Sequence, residues 1–474
     1  MIKKLLLSKK IKKTGYLRTL ISIEKSTRYQ NEKAWLYYKL GMFQSVVEEN
    51  IRNYSARGCV AKVITFVMLG RIEEALKLLS SECSFCLKRD YFLLEIAPYF
   101  PDFVLTKSDN LPLVVKTALL LKQNKNKEAC HLSKSLFQRK SYRNNPELLL
   151  YHSNACNIST KKQSTLFNIF LAQYNLQKIY LVNKDKPFFI DNLKSNIRKI
   201  KRPYLVSIVM TAYNSEKYIT YALHSLLAQT YENIEIIVVD DCSTDNTTNI
   251  VKNIAKYDQR VTLIRLKENV GTYVAKNIAL TYINGEYVIC HDSDDYAHPA
   301  KIENQIMPLI KNPKLVASIS YWIRIDEDGQ YYARYYPSMM KLNMSSLMFR
   351  RGIIEKIGYY DNVRTGADSE YFHRIALAYG EKSLIKIKKP LSLGAHRSDS
   401  LMNDKERGHK QDSISHERLS YYEAWMKWHM KLLKENKIPY ISFPNKKRAF
   451  NAPKGIIVLN FNLTSITLEK KQDS

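Results

Sequence analysis

Apolar residues follow two rhythms along this chain, and the rhythm changes near residue 200. From Gly15 to about Leu176 they recur at helical spacing with few strand signals, which predicts an all-α segment. From Leu205 onward, short continuous apolar runs alternate with helical patterns. Leu205–Met210 predicts a buried strand that ends in Thr211-Ala212-Tyr213-Asn214, and Tyr218, Ile219, Ala222, Leu223, Leu226 and Leu227 then trace a helix face. A second strand, Ile234–Val239, runs into Asp240-Asp241. Ser243, Thr244 and Asp245 offer caps for a helix through Ile250, Val251, Ile254 and Ala255. Val261–Leu266, Gly271 and a helix through Ala275, Ile278, Ala279 and Tyr282 follow. A fourth strand, Tyr287–Cys290, stops at Asp292-Ser293-Asp294-Asp295.

Strands and helices alternating at this spacing imply a mostly parallel α/β sheet covered on both faces. Ligands of such sheets bind beyond the carboxyl ends of the strands. Thr211, Tyr213, Asp241, Asp292 and Asp294 all fall at those ends, so one sheet edge should gather them. Further on, the pattern predicts a helix from His298-Pro299, strands at Val316–Ile325, Tyr331–Tyr336 and Ser345–Phe349, and a helix opened by Arg364–Glu370. A strand near Leu384–Ile387 precedes Gly394-Ala395-His396-Arg397, and a long helix runs from about Ser413 to Glu435. That last helix carries Tyr421, Tyr422, Trp425, Met426 and Trp428 among basic residues. Its apolar face suits either a membrane surface or packing on the α/β part.

Thr211-Ala-Tyr-Asn214, Val238-Val-Asp-Asp-Cys-Ser-Thr-Asp245, Asn269-Val-Gly271 and Asp292-Ser-Asp-Asp295 together resemble the family 2 inverting glycosyltransferases with the GT-A, Rossmann-like fold. The resemblance covers roughly 200 residues. It implies that Thr211, Tyr213 and Asn214 line the nucleotide and that Asp241 reads the imide N–H of a uracil base. It also places Gly271, Lys276, Asn277 and Asp292 around the donor. Lys276-Asn277 stands where the family usually has arginine-asparagine, which keeps the charge and loses the two-pronged phosphate geometry. Asp292 and Asp294, with His396 as third ligand, are implied to hold Mn²⁺ or Mg²⁺. Such a cation would offset charge on the departing diphosphate. The base that takes the acceptor proton is implied at Asp368, in Ala367-Asp368 where the family has Glu-Asp, with Glu370 as second candidate. The implied partners are a UDP-linked sugar donor and an oligo- or polysaccharide acceptor of bacterial capsule or lipopolysaccharide synthesis. Contact with the inner membrane or with assembly proteins goes with that role.

Three stretches of the helical part share a turn signature: Leu40-Gly41-Met42-Phe43, Leu69–Ala75 and Lys122–Ala129. They are similar to tetratricopeptide-type hairpins, with irregular spacing and incomplete signature residues. The reading divides the chain into a helical-repeat-like part (1–197), a catalytic part (198–400) and a helical extension (401–474), with basic 192–202 as connector. A scaffold whose transferase part is inactive is the alternative reading.

With 74 Lys+Arg against 45 Asp+Glu, the net charge is +29. That balance fits nucleic acid, anionic lipid, an acidic polymer, or plain lysine-rich composition. No zinc-finger spacing or other nucleic-acid motif accompanies it, so nucleic acid is not expected as partner. No apolar run approaches the roughly 18 residues of a membrane span. Leu5–Leu7 among the lysines of Met1–Thr14 is too short for a secretory signal, so a cytoplasmic protein is expected. Seven scattered cysteines, Cys59, Cys83, Cys86, Cys130, Cys156, Cys242 and Cys290, are expected to be free thiols.

Overall fold

The computed structural model describes residues 2–107, 111–196, 198–333, 338–397, 414–445, 447–458 and 466–469. Its first part is helical, from Ile2–Ile23 to Thr160–Ala172. The three turn signatures each close a helix in the same way. Gly41, Gly70 and Asn124 adopt left-handed backbone at φ 69°, 75° and 58°. The next N–H then reaches back to the last turn: Met42 to the Tyr37 carbonyl at 2.9 Å, Arg71 to Phe66 at 2.8 Å, and Lys125 to Leu120 at 3.0 Å. This is the Schellman closure, and glycine or asparagine is needed there because a side chain with a branched Cβ disfavours positive φ.

Two pairs of successive helices carry a covalent staple, and one of them is the hairpin turned at Gly70. Cys59, in helix Ala56–Met68, is bonded to Cys83, which follows helix Ile72–Ser80. Cys130, in helix Asn126–Gln138, is bonded to Cys156 at the end of helix Leu148–Ala155. The expectation of seven free thiols is therefore corrected: Cys86, Cys242 and Cys290 are the free ones. The pairs are 24 and 26 residues apart, the separation at which one helix and its return bring two side chains together. The bridges also remove the thiol argument for a reducing compartment. No described helix is long and apolar enough to cross a membrane.

The second part is built on an 11-stranded sheet. Its strands are β1 (Val206–Ala212), β2 (Ile234–Asp240), β3 (Val261–Leu266), β4 (Tyr287–Cys290), β5 (Asp295–Ala297) and β6 (Ala317–Ile325). They continue as β7 (Tyr331–Tyr332), β8 (Lys341–Leu342), β9 (Met348–Arg350), β10 (Leu384–Ala395) and β11 (Ile466–Glu469). The order across the sheet is β11-β3-β2-β1-β4-β9-β6-β10-β5, with β7 and β8 paired to β6. The predicted parallel character belongs to β3-β2-β1-β4, whose pairs are all parallel. β9 joins antiparallel to β4 and β6, and β11 antiparallel to β3, so the whole is mixed. β1 and β2 are buried almost throughout, as strands covered on both faces must be.

Several expected boundaries move. The strand expected to stop near Ile387 continues as β10 to Ala395, because shifts of register at Ile387/Pro390 and Pro390/Ser392 absorb the proline. The strand expected at Ser345–Phe349 is a 3-10 turn, Met344–Ser346, followed by β9. β7 covers only the start of the run expected at Tyr331–Tyr336; 334–337 lie outside the described residues, as does Ser413.

One apolar core runs through all three stretches of sequence. Leu36 and Val46 from the helical part, Val209 and Ile237 from the sheet, and Trp425, Met426 and Ile456 near the end belong to one cluster. In helix His416–Lys434, Tyr421, Trp425, Met426 and Met430 face inward, so packing rather than a membrane surface takes this apolar face. From the same helix the Glu423 carboxylate accepts the Gln44 and Ser45 N–H groups at 3.0 and 3.1 Å. It thereby caps the N-terminus of helix Phe43–Glu48.

Candidate active site

The parallel strands end together, as the alternating pattern requires. Thr211 pairs with Val239 and Ala212 with Asp240, while Val209 lies beside Cys290. The segments leaving β1, β2 and β4 therefore emerge side by side. Thr211 Oγ1 lies 2.8 Å from Thr272 Oγ1, tying the end of β1 to the start of helix Thr272–Leu280. Tyr213 is 51% exposed and presents its ring at this edge. Asn214 braces the loops at this edge. Its N–H donates to Ser243 Oγ at 3.0 Å, and its side-chain oxygen accepts the Thr244 N–H at 2.9 Å.

Asp240 and Asp241 divide the work. Asp240 is buried and accepts from the Ser243 N–H at 3.1 Å and from the Thr248 hydroxyl, so it shapes the turn. Asp241 takes the N–H groups of Val270 and Gly271 at 2.7 and 2.8 Å, one on each oxygen. Burial pushes its carboxyl up to about 6, against the downward pull of those two N–H groups and of nearby Arg364. Each oxygen retains a second lone pair for an outside donor. Gly271 stands at φ 79° and opens helix Thr272–Leu280. Arg364 lies over this loop and donates to Asn269 Oδ1 at 2.9 Å.

Beyond β4, Asp292 and Asp294 are partly exposed, and the Asp292 charge adds to the burial that raises the proton affinity of Asp294. Lys276 Nζ stands 3.9 Å from Asp292 Oδ1. Burial opposes the lysine's charge, but Cys290, Asp292 and Asp368 around it hold its pKa above the ordinary value. Asn277 is fully buried and spends both ends of its amide on the main chain of Tyr360, at 2.9 Å each. It locks the loop that carries Tyr360. Asp294 is gripped by Arg397 Nη2 at 2.9 Å. Burial pushes the Asp294 carboxyl up and Arg397 pulls it down.

His396 does not complete a metal shell. Its ring stacks on Tyr332 at 3.6 Å, and burial together with Arg324 lowers its pKa to about 4. Among the described residues no three His, Cys, Asp or Glu side chains gather as a metal group. The two aspartates are hard oxygen donors of the kind that hold Mg²⁺ or Mn²⁺ together with a ligand's phosphates. The histidine is not part of that set. Arg397, the neighbour of His396, is the residue of this motif that reaches the carboxylates.

Asp368 lies in the first turn of helix Ala367–Tyr379, behind the left-handed Gly366 at φ 84°. One of its oxygens accepts the Ser369 N–H at 2.8 Å. The Tyr273 hydroxyl is hydrogen-bonded to Asp368, and Lys276 feels its charge. Asp368 thus shares the edge with Asp292 although 76 residues separate them in sequence. Glu370 points the other way and is fully buried. Arg374 binds both its oxygens, and His429 Nε2 lies 2.9 Å from Oε1. Burial alone would raise its pKa; these partners bring it down to about 2. A carboxylate so enclosed cannot meet an acceptor hydroxyl, which removes Glu370 as a base. Arg364, Tyr273 and Arg397 went unassigned in the sequence, where only proximity to Gly271, Lys276 and His396 marked them.

Parallel strands that end in an edge of carboxylates, joined to a second mixed half, define a GT-A-like α/β domain. Residues 207–367 match the family model "Glycosyl transferase family 2". A putative teichuronic acid biosynthesis glycosyltransferase of Bacillus subtilis, TuaG, is 43% identical over 102 residues, 22% of this chain and 40% of the relative. The Escherichia coli UDP-Glc:alpha-D-GlcNAc-diphosphoundecaprenol beta-1,3-glucosyltransferase WfaP is 40% identical over 122 residues, 26% of this chain and 48% of the relative. The chain thus spans less than half the length of these curated relatives. Among solved structures, S. aureus TarS 1-349 in complex with UDP-GlcNAc is similar at 22% identity and a TM-score of 0.33, covering 41% of this chain and 59% of that one.

Proposed function

We propose that this chain transfers a sugar from a UDP-linked donor to a glycan acceptor, with inversion, in bacterial surface polysaccharide synthesis. The observation that carries the reading is the meeting of Asp241, Asp292, Asp294 and Asp368 at the carboxyl edge of β1, β2 and β4. The names of the relatives support the pathway class. In this reading Tyr213 stacks on the base, and Asp241 accepts its imide N–H. Lys276 lies beside the diphosphate. Asp292 and Asp294 would hold a Mn²⁺ or Mg²⁺ ion, which when bound offsets charge on the departing diphosphate.

Asp368 accepts the proton of the attacking acceptor hydroxyl. Tyr273 and the Ser369 N–H fix the orientation of that carboxylate. Residues 198–400 form the catalytic part; the described residues of 1–197 and 401–474 support it through the shared core.

Asp368→Asn tests the central role. It keeps size and removes proton acceptance, so transfer should fall by about 10²-fold or more. UDP affinity should stay within about twofold, because the base faces the acceptor and not the nucleotide. Full transfer by this variant would refute the assignment. Absence of any UDP-induced thermal shift in the wild-type chain would refute the donor class.

A further inference from the structure

Beyond the carboxylates the sheet continues outward, and one of its faces is less deeply buried than the other. Asp295 of β5, Gly394 of β10, Arg324 of β6 and Tyr332 of β7 lie in register across four strands. Residues in register share a face, and Trp322, two before Arg324, shares it too. The alternate positions, Ile323, Ile325, Tyr331, Leu393 and Ala395, turn the other way into an apolar core with helix Thr160–Ala172. On the first face, Trp322, Arg324, Tyr332 and the neighbouring His396 are only half-buried.

Two features make this row a shelf. A Cβ at Gly394 would stand 2.6 Å from Trp322 Cε3, 2.7 Å from Cζ3 and 3.2 Å from Asp295 Oδ1. The indole's six-membered ring therefore rests on the β10 main chain, one residue's width from the carboxylate next to Asp294. Only glycine leaves that room. The second feature is a ladder of flat groups. Tyr332 stacks on His396 at 3.6 Å and 11°, and the Arg324 guanidinium stands 5.4 Å from the centroids of both Trp322 and Tyr332. Arg397, adjacent to His396, reaches Asp294. An aromatic and guanidinium strip thus begins at the candidate reaction centre and leads away from it.

We propose that this strip is the acceptor subsite, with Trp322 taking the C–H face of a pyranose ring of the glycan. The inference rests on the transferase reading above. A pyranose carries hydroxyls round its rim and C–H bonds on its faces. An indole lying flat offers the apolar, polarisable surface that such a face packs against. The Tyr332 hydroxyl beside it offers a donor that replaces water at the rim. The strip takes the ring at the side of Asp294 away from Tyr213, so nucleotide and acceptor do not compete for one surface.

Saturation-transfer NMR on the full chain tests this, with UDP and Mg²⁺ present in excess. The probes are the methyl β-glycosides of glucose, N-acetylglucosamine and glucuronic acid. Ring C–H protons of at least one glycoside should receive saturation from the wild-type protein. Trp322→Leu should weaken that glycoside about tenfold or more, and Trp322→Phe should stay within about threefold. The thermal shift given by UDP reports that each variant is folded. Binding of none of the glycosides, or equal binding by Trp322→Leu and wild type, overturns the shelf. Displacement of the glycoside by the sugar of UDP-glucose or UDP-N-acetylglucosamine, but not by UDP, assigns the ring to the donor and also overturns it. If UDP gives no thermal shift while Trp322-dependent glycoside binding persists, the donor reading falls and the shelf stands.

Discussion

Replacing Glu370 by glutamine separates a structural carboxylate from a chemical one. In the native chain both Glu370 oxygens meet Arg374, with Nε at 2.9 Å from Oε1, and His429 adds a third contact at 2.9 Å. Arg374 also donates to the carbonyls of Ile357 and Tyr359, at 2.7 Å each. All of this is sealed from water, with Glu370 and Arg374 both at 0% exposure. Glutamine keeps one acceptor oxygen but turns an NH₂ toward the guanidinium and leaves the arginine charge uncompensated. Breaking a buried pair from one side costs about 3–5 kcal/mol. Guanidinium unfolding followed by far-UV circular dichroism should show that loss as a lower midpoint. Glu370→Gln combined with Arg374→Met should recover part of it, because the orphaned charge is then gone. Equal midpoints for Glu370→Gln and wild type, with transfer abolished, would refute the reasoning and return Glu370 to the chemistry.

Three other outcomes are expected. Asp241 has a folded pKa of about 6, above its ordinary 3.8, so its own contribution to stability is full below about pH 4 and is lost as pH rises through 6. Uridine affinity should run the opposite way, because the ionised carboxylate accepts an imide N–H far more strongly than the neutral acid does. Calorimetry without metal should show about a tenfold loss per pH unit below 6, and a flat profile from pH 5 to 7 would exclude Asp241 as the base reader. Asp294→Ala should abolish the part of UDP binding that depends on Mn²⁺ while a melting transition is retained; wild-type metal dependence in a thermal-shift titration would exclude it as ligand. Thiol titration in denaturant should find the three free cysteines before reduction and all seven after it. Seven before reduction would exclude the bridges.

The parallel half of the sheet was legible because strands buried on both faces must be continuous apolar runs, and the polar residue that stops each run marks the strand end. That is why Asp241, Asp292 and Asp294 could be placed at one edge before any coordinates. The other half hid its signals. Lys388-Lys389-Pro390 reads as a stop, yet β10 passes through it on shifts of register. β5 is only three residues long, and β11 lies far from the strand it completes. Whether a carboxylate in a helix's first turn is free or enclosed also depends on partners distant in sequence. Asp368 and Glu370 look alike locally; His429, 59 residues later, tells them apart. The cysteine pairs stayed hidden for the same reason, since spacing alone does not say which helices return on each other.

Glu423, which closes the N-terminus of helix Phe43–Glu48, lies 378 residues beyond Ser45. A ribosome adds about 5–20 residues per second, so this cap reaches its helix roughly 20–75 s after the helix has been made. Throughout that interval the early helices hold apolar side chains for which the Trp425 side of the core does not yet exist. Birth of this protein is thus a long wait with an unfinished surface. The demand it places on chaperones should be set by translation speed through the middle of the message more than by the final stability of the fold.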